Sequence, residues 1–107
     1  MKDLVKIVVT VPTNEADVLR KVLGDSGGGK IGEYTYCSFS VKGKGRFLPN
    51  EGSSPTIGAV GKPEIVEEER IEITCNMTNA KKVIDSIRET HSYEEPAIDV
   101  YPLLDLD

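Results

Sequence analysis

One pattern occurs twice in this sequence, an alternating strand-like run that leads into a helix-like apolar stripe, and it leaves the chain few ways to fold. In the first copy, residues 4–11 place Val5, Ile7, Val9 and Val11 on one side of a β-branched run, the pattern of a strand with one apolar face. Pro12 stops it, Thr13 or Asn14 supplies a cap, and Ala16, Leu19, Val22 and Leu23 recur at helical spacing, predicting a helix over 14–25. In the second copy, Ile71, Ile73 and Cys75 alternate with Arg70, Glu72 and Thr74 over 69–75. Thr78 or Asn79 then caps a helix whose stripe is Ala80, Val83, Ile84 and Ile87.

Each copy is followed by one more alternating run. Residues 34–41 place Cys37, Phe39 and Val41 on the core side, and Ile98 and Val100 mark a last strand. A Gly- and Pro-rich stretch over 43–63 separates the copies, and loops of that length are often functional. The order predicts an α+β, ferredoxin-like βαββαβ sandwich: two right-handed crossovers, with both helices on one face of a four-stranded antiparallel sheet. By alternation the other face carries Lys6, Val8, Thr10, Tyr34, Tyr36, Ser38, Glu72, Thr74, Asp99 and Tyr101. Such a mixture of aromatic and polar groups suits a second subunit as well as water. At 107 residues, a single domain spanning 1–107 with one core is expected.

Charge narrows the partners. A net charge of -5 repels phosphate backbones and anionic lipid heads, so neither nucleic acid nor membrane is expected. The opening stretch Met1–Leu4 runs straight into the first alternation without an apolar leader, which predicts a cytoplasmic protein. Cys37 and Cys75 form neither a redox pair nor a zinc set and are expected to be small core hydrophobes.

Two glycine motifs fail as nucleotide sites. Gly27, Gly29 and Gly32 match GxGxxG, but a helix precedes them and a strand follows, the reverse of the dinucleotide-binding order. Gly24, Gly29 and Lys30 approach a phosphate loop, yet Ile31 stands where a magnesium-binding hydroxyl belongs. His91 is the lone histidine, in a segment that continues through Tyr93, Glu94 and Glu95 to Pro96. It reads either as a last-turn residue offsetting the helix dipole or, with Glu94, Glu95 and Cys37 from another subunit, as part of a divalent-cation site. Glu64, Glu67, Glu68 and Glu69 read as a solvated strand edge.

Three stretches together resemble a known family: 32–40, with Gly32-Glu33-Tyr34 and Cys37-Ser38-Phe39-Ser40; 43–49, Gly-Lys-Gly-Arg-Phe-Leu-Pro; and 91–103, opening on His91-Ser92-Tyr93-Glu94-Glu95-Pro96. They are similar to the inserted domain of the Nif-three-like proteins (NGG-one-interacting-factor family, YqfO-type). That resemblance implies a fold like those of CutA-type cation-tolerance and PII-type signalling proteins, usually trimeric. It also implies that the dimetal site of the full-length family belongs to a flanking domain, so nothing in this chain inherits those ligands. Ser92 replaces the proline of the family's His-Pro-Tyr-Glu motif, and the 43–63 loop occupies the position of the partner-contacting loop of PII-type proteins.

The resulting expectation is a non-catalytic, homo-oligomeric binding or regulatory module, a trimer, with a protein partner as a further option. Tyr34, Tyr36, Tyr93 and Tyr101 are the candidate interface, and Arg46, Phe47 and Pro49 the candidate partner loop. The alternative is a divalent-cation-binding protein using His91, Glu94, Glu95 and Cys37. No cofactor other than such a cation is expected, and no nucleophile, base and orienter set supports an enzyme.

Overall fold

The computed structural model describes residues 3–107, so Met1 and Lys2 of the opening stretch lie outside the described residues. The elements are β1 (Leu4–Pro12), a 3-10 turn (Thr13–Glu15), α1 (Ala16–Asp25), β2 (Phe39–Phe47), β3 (Glu64–Asn76), α2 (Met77–Thr90) and β4 (Ile98–Pro102). The strands form one antiparallel sheet in the order β2-β3-β1-β4. The expected ferredoxin-like arrangement is therefore the observed one. The molecule is elongated, 49 × 23 × 22 Å.

The core lies between the helices and one face of the two central strands. Val5, Ile7, Val9 and Val11 of β1 meet Leu19 and Leu23 of α1, Ile71 and Ile73 of β3, and Val83 and Ile87 of α2, all buried. Each such side chain contributes about 1.5–3 kcal/mol relative to exposure. Helix α1 starts later than predicted because Thr13–Glu15 winds as a 3-10 turn. It stops where the Ser26 hydroxyl donates to the carbonyls of Val22 (2.9 Å) and Leu23 (3.0 Å). Gly27 and Gly29 then take φ of 98° and 77°, so these glycines build the exit turn of a helix, as read from the sequence. Helix α2 begins at Met77, not after Thr78 or Asn79, with Asn76 as its N-cap.

Strand β2 is where the expectation fails. Residues 34–38 are not strand at all: Tyr36 sits at φ 58°, a left-handed conformation that breaks an extended run. The strand starts at Phe39 and runs through Gly43 and Gly45 to Phe47. Its register pairs Phe39 with Glu72 and Val41 with Arg70, so both apolar side chains lie on the face away from the helices. They are 65% and 45% exposed. A single-residue phase error inverts a whole strand in this way. Cys37 is only half-buried while Cys75 is in the core, so the expectation holds for one cysteine and not the other. The long loop shrinks from 43–63 to 48–63, because its first residues, through Phe47, belong to β2.

Candidate functional site

The loop over 48–63 folds back on the segment that follows α2. The amide of Ser54 donates to Glu94 Oε1 (3.0 Å), and the Thr56 hydroxyl donates to the Ser92 carbonyl (2.6 Å). Ser92 in turn donates through its hydroxyl to Glu15 Oε2 (2.7 Å), tying the segment to the turn before α1. Within the loop, Gly61 N–H donates to the Pro49 carbonyl (2.8 Å), and Pro49 is buried. Between loop, hairpin and segment lies a cleft of about 550 Å³, within the usual range for small-molecule sites. Phe47, Leu48, Pro49 and Ile57 form its apolar side, Tyr93 and Glu94 face them, and Thr10 and Glu68 form its floor.

The expected partner-loop residues Arg46, Phe47 and Pro49 thus share one cleft with Tyr93, Glu94 and Glu95. His91 stands behind it. Its Nε2 lies 2.8 Å from the Thr10 carbonyl, and its Nδ1 accepts from the Tyr93 amide (3.1 Å). A carbonyl only accepts and an amide only donates, so the ring is the neutral tautomer with its proton on Nε2. The dipole-offsetting, partly positive imidazole read from the sequence is not what this geometry holds. A cation on His91 would need the ring to release one of those bonds. Among the described residues, no three His, Cys, Asp or Glu side chains lie close enough to hold a metal ion, and Cys37 instead lines up with the α1 exit turn, its amide donating to Gly29 O (2.8 Å).

The tyrosines divide. Tyr101 lies on the open sheet face opposite Lys6. Tyr34 pairs with Ile31 in an isolated bridge, and Tyr36 donates to Asp25 (2.6 Å) and covers Gly24, so neither lies on the sheet. Tyr93 belongs to the cleft, its ring edge-on to Phe47 with centroids 5.9 Å apart.

Glu68 was the residue that the sequence concealed. It reads as part of a solvated acidic run, yet Glu68 and Glu69 are both buried. Glu69 points to the helix side and pairs with Arg20 (2.7 Å). Glu68 points to the open side and accepts from Tyr93 Oη (2.7 Å). The one available signal was Gly45 across the hairpin, where a Cβ would overlap the Glu68 carboxylate. Burial first, then this hydrogen bond, hold the Tyr93 phenol well above its ordinary ionisation range, so it stays a donor.

No family model matches the chain. A GTP cyclohydrolase 1 type 2 homolog of Halalkalibacterium halodurans is 46% identical over 102 residues, covering 95% of this chain and 27% of the relative. The crystal structure of a Bacillus cereus protein related to NIF3 superposes with a TM-score of 0.84 at 44% identity, covering 97% of this chain and 26% of that one. This chain corresponds to one segment of the NIF3-related proteins. It spans about a quarter of the length of the curated relatives it matches, 27% for the one above. More distant likenesses show the fold alone: CutA of Archaeoglobus fulgidus (TM-score 0.68, 21% identity, 95% of this chain and 85% of that one) and GlnK of Bacillus subtilis (0.63, 15%, 94% and 85%). The CutA-like and PII-like architecture expected from the sequence is thereby established. Among the described residues, no helix is long and apolar enough to cross a membrane.

Proposed function

We propose that the chain is a non-catalytic binding and regulatory module that assembles with copies of itself through the open face of its sheet and takes a ligand in the hairpin cleft. The observation that carries this reading is the open face. Phe39, Val41 and Tyr101 stand 65%, 45% and 48% exposed there, on a face that no helix among the described residues covers. Beside them run Arg70 and Glu72, 3.3 Å apart, and Lys6 opposite Tyr101. An apolar strip edged by charges of both signs can complement a second copy of itself. The trimer implied by the family resemblance is the assembly proposed.

A non-catalytic role is supported by the cleft's own chemistry. Among the described residues, Ser53 is the one Ser or Cys that lines the cleft, and its hydroxyl is bonded to the Asn50 carbonyl, while both nitrogens of His91 are bonded within the chain. The relatives are named as homologs of GTP cyclohydrolase, and this chain covers only about a quarter of them. The test is Val41→Glu, an exposed position where a charge leaves the core untouched. Its circular dichroism should match wild type while its sedimentation coefficient falls to the monomer value, and its melting temperature should fall with the loss of assembly. An unchanged coefficient would remove the open face from the assembly.

A further inference from the structure

The floor of the cleft holds an anion that the chain itself leaves half-satisfied. Glu68 is only 7% exposed. Its Oε2 accepts the Tyr93 hydroxyl, whereas its Oε1 rests against Gly45 and receives no hydrogen bond from any described residue. No fully buried side-chain oxygen or nitrogen among the described residues lacks a partner, so Oε1 reaches open space, and the space that Glu68 lines is the cleft. Of the neighbouring cations, Arg20 is on Glu69 and Lys44 is on Glu67, whereas Arg46, which also lines the cleft, forms no ion pair with Glu68 among the described residues. Carboxylates this deep are ordinarily matched by a positive charge.

The rest of the cleft describes what that charge is attached to. Phe47 and Tyr93 offer ring surfaces beside the carboxylate, Leu48 and Pro49 extend the apolar wall, and Glu94 and Glu95 stand at the mouth. Aromatic faces attract cations as well as apolar groups. We propose that the cleft binds an organic cation, an ammonium or guanidinium group at the end of an apolar arm, with the head on Glu68 Oε1 and the arm against Phe47 and Pro49. Lys44 and Arg46 also line the cleft, but Lys44 is paired with Glu67 and the four carboxylates Glu51, Glu68, Glu94 and Glu95 outnumber them, which disfavours a phosphate-bearing ligand. The inference rests on the ligand-site half of the proposed function and is independent of self-association. Such a head occurs on free amines and on lysine or arginine side chains of a peptide, and both present the same chemistry to Glu68.

The experiment is an amide NMR titration of the whole chain with n-pentylamine, n-pentylguanidine, neutral n-pentanol and the peptide acetyl-Ala-Lys-Ala-amide. The two small cations should shift Gly45, Phe47 and Tyr93 saturably, with pentanol at least tenfold weaker. Glu68→Gln, which keeps an acceptor for the Tyr93 hydroxyl, should weaken both cations at least tenfold, about 1.4 kcal/mol. Peptide binding as tight as that of the amine assigns the cation to a protein side chain; binding of the amine alone assigns it to a small molecule. Equal binding of pentanol and pentylamine, unchanged affinity in Glu68→Gln, or no saturation by either cation below about 10 mM would overturn the proposal. If Glu68→Gln does not fold, the comparison of pentanol with pentylamine on wild type decides. Cations that fail while pentanol shifts the same amides would leave a ligand site standing and remove only its cationic chemistry.

Discussion

Tyr93, just beyond α2, donates its hydroxyl proton to Glu68 of β3 across 2.7 Å, and this bond closes the floor of the cleft. It joins segments that are 25 residues apart and fixes where both the aromatic wall and the buried anion stand.

That bond carries a pH signature. The phenol is held un-ionised well above its ordinary range, first by burial and then by Glu68. A raised folded-state pKa contributes stability that is complete below the unfolded value, about 10 for tyrosine, and lost as pH climbs from there toward the folded value. Wild type should exceed Tyr93→Phe by about 1.5 kcal/mol in urea denaturation at neutral pH. The gap should shrink as pH rises past about 10. A gap that is constant with pH would place the effect in packing instead.

Gly29 and Gly43 should respond oppositely to alanine. At Gly29, φ is 77° and a Cβ would run into the backbone of Cys37, so Gly29→Ala should cost about 2–3 kcal/mol. At Gly43 nothing lies within 4 Å of a Cβ and φ is not positive, so Gly43→Ala should be neutral or gain a few tenths of a kcal/mol. Thermal unfolding of the two variants checks the pair.

The Arg20–Glu69 pair should be asymmetric. Arg20 also reaches Asp17 and Ser40 (3.1 Å), but the buried Glu69 carboxylate has Arg20 alone among the described residues. Arg20→Met strands a buried charge and should cost about 2 kcal/mol. Glu69→Gln leaves the guanidinium with its other partners and should cost about half that, near 1 kcal/mol. Chemical denaturation at matched salt distinguishes the two.

The parts of the fold that were legible are those where alternation and stripe are uninterrupted. In β1, β3 and α2, the apolar spacing marks the face that meets the core; Val8 and Glu68, buried on the other face, are what this pattern does not announce. Strand β2 was misread because its apolar residues, Phe39 and Val41, belong to the open face, while Ser40 and Lys42 point toward the helix side. Hydrophobicity there reports a surface kept for something other than the core. The loop trio Arg46, Phe47 and Pro49 and the segment from Tyr93 to Glu95 were each visible as candidates. Their meeting in one cleft was not, because it depends on how residues 48–63 fold back. Glu68 was hidden by its neighbours: in a run of glutamates, nothing local separates the one turned inward onto a tyrosine from those in water.

Sedimentation equilibrium of the wild-type chain at about tens of micromolar addresses the self-association of the open sheet face most directly. The proposed assembly gives a mass three times that of one chain, lost in Val41→Glu. A mass of one chain throughout that range would contradict it.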